Sequence, residues 1–499
     1  MTDPTADLAD VDVPAAPESS GADLAPPDGV AWDLLVLGGG TAGLTAAQTA
    51  ARLGASVLMI ERERTGGDCL WTGCVPSKAL LAAAHAAADA RTASRYGVQA
   101  TVSVDFPAVM NHVYGAIAAV APDDSPATLA AAGVRVRAGT ARLTGADTAD
   151  VDGYPVRFRQ AVLATGSEPG LPDLPGLADV HPLTSKNVWQ LTELPARLLV
   201  LGGGPIGCEL GQAFAQLGAA VTLVQSGSRV LAKEDPEAAD LIAQALRTAG
   251  VDLRCGTTLT SVEPVGTGGR ATLSDGQTVD FDRILIGAGR TPRTADLGAG
   301  AGGVELTERG FIRVDDMLRT TNPRIWAAGD LTGHPSFTHT AGVHGSLVAS
   351  NAILGLRRTV DDATQPRVTF TQPEVAAFGP SAPPGGGRVV TVHADEVDRA
   401  RAGKSTDGFT RLVLDHRGRI VGATLVGPRA GECLAEVVLA ATHQISARAL
   451  AGVTHAYPAW TDGVWKAGIA DLQRWLGRPP VSMLTALLTG LRRRWVSRP

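Results

Sequence analysis

Two stretches of the sequence, about 165 residues apart, repeat one pattern: a short apolar run, three closely spaced glycines, and a helical stretch that leads to a second apolar run. The first stretch runs from Asp33 to Ile60 and the second from Arg197 to Val224. Short apolar runs are typical of buried strands, and two parallel strands need a crossover helix between them. Each stretch is therefore predicted to form a βαβ unit. The repeat therefore predicts an α/β protein with two similar domains that arose by duplication.

The glycines of each βαβ unit lie between its first strand and its helix, in the order G-x-G-x-x-G. They are Gly38, Gly40 and Gly43 in the first unit and Gly202, Gly204 and Gly207 in the second. In such a loop the first glycine permits the turn, the second lets a pyrophosphate approach the backbone, and the third lets helix and strand pack closely. The N-terminus of the helix faces the phosphates. This context favours a dinucleotide at each unit over a turn that is merely tight.

The residue that ends the second strand distinguishes the two units. In the first unit it is Glu61, followed by Arg62, and a carboxylate at this place can hold ribose hydroxyls. In the second unit the corresponding residue is Gln225, which does not repel a 2′-phosphate, and Arg229 nearby can attract one. The second unit therefore favours NADPH over NADH, with a solvent-facing Arg229 as the alternative interpretation.

A cysteine pair follows the first unit directly. Four residues separate Cys69 from Cys74, and Lys78 follows within the next helical turn. A close pair beside a dinucleotide site can take up two electrons and pass them on by thiol–disulfide exchange, and the nearby positive charge favours a thiolate. A structural zinc half-site is the alternative, but no second cysteine pair or histidine cluster supplies the other ligands, so we predict no metal site. The isolated cysteines are interpreted as packing residues: Cys208, Cys255 and Cys433.

With these residues the sequence resembles the pyridine nucleotide–disulfide oxidoreductases, the flavoproteins that include dihydrolipoamide dehydrogenase, glutathione reductase and mercuric reductase. The resemblance covers about residues 31–470. Besides the glycines and the cysteine pair, it rests on the segments 164–169, 287–292, 321–330 and 370–375. It implies two Rossmann-like domains, the first for FAD and the second for NADPH or NADH, and a C-terminal α+β dimerisation domain.

The resemblance also implies roles for individual residues. Cys74 is expected to lie against the flavin as the charge-transfer thiolate, Cys69 to attack the substrate, and Lys78 to pair with Glu209 near the flavin. Asp330 is expected near the ribityl chain of FAD. The other residues expected to contact a cofactor are Gly67, Asp68, Thr165, Gly166, Gly289, Arg290 and Gly329.

The C-terminal region departs from the family pattern. Where dihydrolipoamide dehydrogenase and glutathione reductase carry His-Pro followed by Glu, this sequence has Tyr457 before a proline, and then Asp462. A phenol, with an ordinary pKa of about 10, does not replace imidazole as a base near neutral pH, although it can donate a proton. His455 lies two residues earlier, and we favour a hydrogen-bonded interface residue over an acid–base. All three stay candidate catalytic residues.

The leading hypothesis is a cytoplasmic, homodimeric FAD enzyme that uses NAD(P)H to reduce a small-molecule or protein disulfide, or another thiol-reactive substrate, with each active site built from both chains. One alternative keeps the flavin but reduces a quinone, a metal ion or another small oxidant, and Tyr457 then marks the loss of thiol acid–base chemistry. Mercuric reductases share that tyrosine, but no vicinal cysteines stand near the C-terminus, which disfavours mercury. Residues 31–470 carry a net charge of −4, which gives no case for nucleic acid.

Composition separates two tails from the rest. Residues 1–30 carry seven acids and no base, whereas 471–499 carry six Arg and one Asp. We expect five segments: a disordered acidic tail (1–30), an FAD-binding domain (31–175 with 296–360), an NAD(P)H-binding domain (176–295), a dimerisation domain (361–475) and a basic amphipathic tail (476–499). Within that tail, we expect 481–499 to form an amphipathic helix, and we favour docking on its own protein over contact with a membrane surface or a partner.

Overall fold

The computed structural model describes residues 24–496, which fall into two compact parts. The larger part contains the residues up to 226 and 249–360, and the smaller part contains 227–248 and the residues from 361 onward. Residues 1–23 and 497–499, which hold most of the predicted acidic tail and the last residues of the basic tail, lie outside the described residues.

The strands of the described chain are β1 (Trp32–Leu37), β2 (Val57–Glu61), β3 (Val134–Ala138), β4 (Ala141–Leu143), β5 (Thr148–Val151), β6 (Tyr154–Leu163), β7 (Ser167–Pro169), β8 (Arg197–Leu201), β9 (Ala220–Gln225), β10 (Asp252–Cys255), β11 (Leu259–Val265), β12 (Gly268–Leu273), β13 (Thr278–Phe281), β14 (Arg283–Ile286), β15 (Arg290–Pro292), β16 (Ile325–Ala327), β17 (Arg367–Thr369), β18 (Glu374–Phe378), β19 (Arg388–His393), β20 (Phe409–Leu414) and β21 (Ile420–Gly427).

The helices are α1 (Thr41–Arg52), α2 (Gly67–Trp71), α3 (Cys74–Thr92), α4 (Phe106–Val120), α5 (Pro126–Ala131), α6 (Pro205–Leu217), α7 (Pro236–Thr248), α8 (Thr338–Leu354), α9 (Asp398–Ala402), α10 (Ala430–Thr442), α11 (Ala447–Leu450), α12 (Asp462–Leu476) and α13 (Pro479–Val496).

The first sheet of the larger part is built on the first βαβ unit. Its parallel strands have the order β3-β2-β1-β6, with β16 also parallel to β6, and β6 continues antiparallel into β5 and β4. Leu34, Leu35 and Val36 are fully buried, because α1 and α8 cover one face of β1 and the β4–β6 extension packs on the other. Burial on both faces explains the continuous apolar run in the sequence.

The second sheet repeats this arrangement. Its four parallel strands have the order β10-β9-β8-β14, so β8 stands between β9 and β14 as β1 stands between β2 and β6. A three-stranded antiparallel sheet, β11-β12-β13, packs its buried side chains against Ile284 and Ile286 of β14. The predicted fold class, with two similar parallel domains, is confirmed.

The smaller part has an α+β architecture. Its antiparallel sheet has the order β17-β18-β21-β20-β19, and α10 and α12 supply buried side chains to the same core. Residues 227–248 are tied to this sheet by ion pairs: Glu234 to Arg367 of β17, and Asp235 and Glu237 to Arg411 of β20.

Two features of the tails differ from expectation. The prediction of disorder is wrong for residues 24–30, because Leu24 is buried and accepts a hydrogen bond from the indole of Trp32, and Asp28 pairs with Arg159. The prediction that 481–499 dock on their own chain is wrong for the described residues up to 496. There α13 buries no side chain, and its exposed apolar residues are Met483, Leu484, Leu487, Leu488, Leu491 and Trp495. Among residues 24–496, no helix is both long and apolar enough to cross a bilayer.

Candidate active site

The first and third glycines of each βαβ unit are required by the protein itself. A Cβ atom on Gly43 would lie 1.9 Å from the carbonyl oxygen of Gly38, and one on Gly207 would lie 1.9 Å from that of Gly202. Both Gly38 and Gly202 adopt positive φ, and a Cβ on either would lie within 2.6 Å of a neighbouring carbonyl oxygen. Larger residues at these places would force helix and strand apart.

The second glycines need another explanation. Gly40 and Gly204 have ordinary extended backbone, and a Cβ on Gly204 would meet no protein atom within 4 Å, while one on Gly40 would meet only Gly67 at 3.8 Å. Neither α1 nor α6, which start just after them, has a side-chain N-cap. The space above each glycine and the amides of each helix start therefore fit a pyrophosphate.

The strand-end residues occupy equivalent positions. The amide of Gly39 donates to Glu61 Oε2 at 2.6 Å, and the amide of Gly203 donates to Gln225 Oε1 at 2.8 Å. Each side chain therefore lies over the glycine loop of its own unit, where a ribose would follow the pyrophosphate.

The two arginines predicted beside these strand ends belong to different parts of the chain. Arg62 is exposed and lies 3.7 Å from Glu63. Arg229 is half-buried and belongs to the smaller part of the chain. Their contacts with a cofactor stay predictions.

An ionic network brings the distant FAD-site residues together. The carboxylate of Asp68 pairs with Arg290 and lies 3.8 Å from Arg293. Arg290 also donates to the hydroxyl of Ser167 at 2.6 Å and lies 3.5 Å from Asp330, to which Ser167 donates in turn. Four chain segments thus contribute side chains to one polar cluster beside the first glycine loop.

The remaining residues predicted to contact FAD lie around this polar cluster. Thr165 donates its hydroxyl to the carbonyl of Arg293 at 2.8 Å, and Gly67 packs so closely on Gly40 that a Cβ would lie 2.6 Å from its Cα. The turns at Gly166, Gly289 and Gly329 all have positive φ.

The cysteine pair stands at the start of α3. Cys74 is the first residue of this 19-residue helix, Cys69 lies on α2, and the two thiols share a hydrogen bond. The hydrogen bond from Cys69 lowers the pKa of Cys74 to about 6, helped by the Thr338 hydroxyl, 3.1 Å from its Sγ, and by the charge of Lys78. The same hydrogen bond, together with burial, raises the pKa of Cys69. The geometry therefore separates one thiolate from one thiol.

Lys78 and Glu209 form the ion pair that the resemblance implies. Nζ of Lys78 lies 2.9 Å from Oε2 of Glu209, whose side chain is only 8% exposed. Because α3 carries both Cys74 and Lys78 one turn apart, the pair holds a positive charge near the thiolate.

The C-terminal candidates lie in the smaller part and have different surroundings. Tyr457 is 70% exposed and donates its hydroxyl to Asp398 at 2.9 Å, a hydrogen bond that raises the pKa of the phenol. His455 has both ring nitrogens engaged, by Glu436 at 2.8 Å and by the carbonyl of Val453 at 3.0 Å. This arrangement favours the structural interpretation of His455.

Asp462 is buried at the start of α12. Its Oδ2 accepts the amide of Ala459 at 3.2 Å, so the carboxylate closes the turn that precedes the helix.

Sequence reasoning missed three residues of the site. Ser167 lies inside the segment 164–169 and Arg293 directly follows 287–292, so both were adjacent to quoted motifs, but their side-chain contacts depend on the fold. Thr338 follows none of the motifs, and only the folded chain places its hydroxyl on Cys74.

The fold and the site define a flavin- and nicotinamide-dependent dithiol enzyme, and comparisons agree. Residues 32–345 match the pyridine nucleotide-disulphide oxidoreductase family, and 365–467 match the dimerisation domain of that family. The chain belongs to this family, whose members use FAD and NAD(P)H, and the dimerisation domain indicates a homodimer.

Two curated relatives illustrate the range of the family. The chain is 38% identical to a mercuric reductase of Streptomyces lividans, over 85% of this chain and 93% of the relative. It is 33% identical to a dihydrolipoyl dehydrogenase of Geobacillus stearothermophilus, over the same shares of the two chains.

Two solved structures are also similar. LpdA of Mycobacterium tuberculosis superposes with a TM-score of 0.80 at 28% identity, over 88% of this chain and 99% of LpdA. The Cu(II) complex of RclA of Escherichia coli, an HOCl-induced flavoprotein disulfide reductase, superposes with a TM-score of 0.79 at 26% identity, over 88% and 99%.

Proposed function

We propose that this chain, acting as a cytoplasmic homodimer, uses NAD(P)H to reduce a disulfide or another thiol-reactive substrate through Cys69 and Cys74. The observation that supports this proposal is the division of the pair into a thiolate at the start of α3 and a protonated thiol beside it. Bound FAD supplies the two-electron relay between NAD(P)H and the pair.

The division of the pair also supplies a proton acceptor. Cys69 must lose its proton before it attacks a substrate disulfide, and the Cys74 thiolate is already hydrogen-bonded to that proton. Attack by Cys69 forms a mixed disulfide and releases one substrate thiolate, which takes up the proton that Cys74 had accepted and so restores the Cys74 thiolate. Attack by Cys74 on the Cys69 sulfur then releases the second and leaves the Cys69–Cys74 disulfide. The exchange needs no base from the histidine that Tyr457 replaces.

Cys69→Ser tests this proposal. The variant should lose disulfide turnover by about a thousandfold or more, because no thiol is left to attack, while rapid bleaching of the flavin by NAD(P)H continues. Cys255→Ser, at the end of β10, is the matched control and should keep full turnover. Unchanged disulfide turnover in Cys69→Ser would contradict the dithiol mechanism.

A second candidate function is reduction of a small oxidant without dithiol exchange. It is favoured by the exposed Tyr457, whose hydrogen bond to Asp398 raises the pKa of the phenol and so keeps it protonated and unable to accept the proton of a substrate thiol. The metal ions to test are Hg²⁺ and Cu²⁺, because the relatives include a mercuric reductase and RclA has been solved as a Cu(II) complex. A naphthoquinone or either ion reduced as well by Cys69→Ser as by the unaltered chain would establish this function.

We propose NADPH as the preferred nucleotide. The proposal rests on Gln225, a neutral side chain over the second glycine loop where the first loop has the carboxylate of Glu61. A neutral side chain at this place does not repel the negative 2′-phosphate.

The exposed apolar face of α13 keeps a contact of residues 481–499 with a membrane surface or a partner as a prediction. At 3.6 residues per turn, Arg492 lies beside one edge of that face and Arg494 lies near the other edge, between Met483 and Leu487, and basic residues beside an apolar face are typical of a helix that lies on an anionic lipid surface. Co-sedimentation with phosphatidylglycerol vesicles should pellet the full chain and lose a chain that ends at Gly477. Equal pelleting of the full and the shortened chain would contradict membrane contact through 481–499.

A further inference from the structure

A tryptophan outside the redox motif contacts the loop between the two cysteines. Trp189 lies in the segment that connects β7 to β8, and its side chain is 1% exposed. Its indole N–H lies 3.0 Å from the carbonyl oxygen of Thr72 and 2.8 Å from that of Ser185. One donor is therefore shared between the redox loop and the connecting segment.

The carbonyl that Trp189 contacts is that of Thr72, two residues before Cys74. Thr72 directly follows α2, its amide donates to the carbonyl oxygen of Asp68 at 3.0 Å, and Gly73 alone separates it from Cys74. A Cβ on Gly73 would lie 2.8 Å from the carbonyl oxygen of Asp68, so the turn has no spare room. The direction of the Thr72 carbonyl consequently determines how the chain enters α3.

The other side of Trp189 is anchored independently of the cysteines. Its own carbonyl oxygen accepts the hydroxyl of Tyr114 on α4 at 2.6 Å. The turn that carries Ser185 is closed by Asn187, whose side chain accepts the amide of Thr184 at 2.6 Å. The indole therefore projects from a base that does not depend on the redox loop for its position.

We propose that Trp189 is a positioning residue, which holds the Thr72 carbonyl so that Cys74 begins α3 with its sulfur between Cys69 and Thr338. The inference rests on the proposed function of the cysteine pair. Closing the disulfide brings the Cys69 and Cys74 sulfurs to about 2.05 Å and must shift the loop between them. Ser185 gives the indole N–H a second acceptor throughout that shift, so no buried donor is left unsatisfied in either redox state.

Trp189→Phe tests the inference, because it keeps an aromatic ring and removes the N–H. The readout is the long-wavelength charge-transfer absorbance of the reduced holoenzyme, which reports the Cys74 thiolate beside the flavin, followed against pH. The midpoint of that profile should rise by about half a pH unit or more, and the dithiol–disulfide equilibrium with glutathione should change by about threefold or more. Trp32→Phe, which removes a different buried indole N–H, the donor to the carbonyl of Leu24, is the matched control and should change neither.

Two results would overturn the proposal: a Trp189→Phe profile and equilibrium equal to those of the unaltered chain, or equal shifts in Trp32→Phe. If Trp189→Phe does not fold, benzothienylalanine at position 189 replaces the N–H by sulfur at nearly the same size and carries the same test. The failure of the proposed function is distinguishable, because it shows as unchanged disulfide turnover in Cys69→Ser, whatever Trp189→Phe does.

Discussion

The two βαβ units place their glycines in nearly the same backbone geometry. Gly38 has a φ of 106° and Gly202 one of 109°. The third glycine of each unit, Gly43 or Gly207, brings its helix equally close to the carbonyl of the first. Packing of helix on strand therefore explains what the units share.

The residue that ends the second strand differs in charge between the two units. Glu61 and Gln225 accept the same hydrogen bond from the glycine loop, but only the first is a carboxylate. The comparison teaches that the fold fixes where a dinucleotide lies, whereas one side chain at the strand end selects which dinucleotide it is.

Replacing glycines in the second unit separates these two levels most strongly. Gly207→Ala should lower the free energy of unfolding by about 3 kcal/mol or more, because its Cβ would meet the carbonyl of Gly202 at 1.9 Å. Gly204→Ala should keep the unfolding temperature and weaken NADPH binding by about tenfold or more, because its Cβ meets only the space for the pyrophosphate. Calorimetry measures both quantities.

If Gly207→Ala and Gly204→Ala lowered the free energy of unfolding equally, the distinction between structural and ligand-facing glycines would be contradicted. Gly250→Ala is unsuitable as a control because that glycine has positive φ. Gly300→Ala meets no protein atom within 4 Å and should change neither quantity.

The cysteines sharpen the comparison further. Cys74 follows the first unit at an exposed helix start, whereas Cys208 lies inside α6 of the second unit, where burial raises the pKa of the thiol. In the reduced protein at pH 7 with FAD removed, iodoacetamide should alkylate Cys74 about a hundredfold or more faster than Cys208. The thiolate of Cys74 is lost as the pH falls through its pKa of about 6, so its rate should halve near pH 6 and fall about tenfold by pH 5. A rate that stays flat down to pH 5, or rises only above pH 8, would contradict this assignment.

Exchanging the strand-end charge has the smallest expected effect. Gln225→Glu should weaken NADPH binding by about tenfold and leave NADH within about threefold, because the new carboxylate repels the 2′-phosphate. Glu61→Gln, the same exchange reversed in the first unit, should leave the ratio of the two nucleotide Kd values unchanged. Stopped-flow reduction with each nucleotide gives these values. A Gln225→Glu variant that still binds NADPH as the unaltered chain does would show that selection lies elsewhere.

The sequence predicts the strands, helices and glycine loops of both units because each follows from a local pattern of apolar residues and turns. It also predicts the fold class, which is confirmed, and the cysteine pair, whose spacing lies within one segment. Local patterns do not predict contacts between distant segments. Ser167 on Asp330, Thr338 on Cys74 and Trp189 on Thr72 all join residues more than 100 positions apart.

The two tails show the same limit from the other side. The acidic composition around Asp28 predicts disorder, but Leu24 supplies an apolar anchor that a count of charges does not weigh. The apolar face of α13 predicts docking on the chain, whereas the described side chains stay exposed. An amphipathic pattern predicts a face but not what covers it.

The most direct test of the account is an anaerobic titration of the purified holoenzyme with NADPH, and then with NADH, followed by its visible spectrum. A working Cys69–Cys74 pair with a thiolate at Cys74 predicts a long-wavelength charge-transfer band after two electrons, formed at lower concentrations of NADPH than of NADH. Direct bleaching to fully reduced flavin without that band would contradict the role of the pair and favour the reduction of a small oxidant.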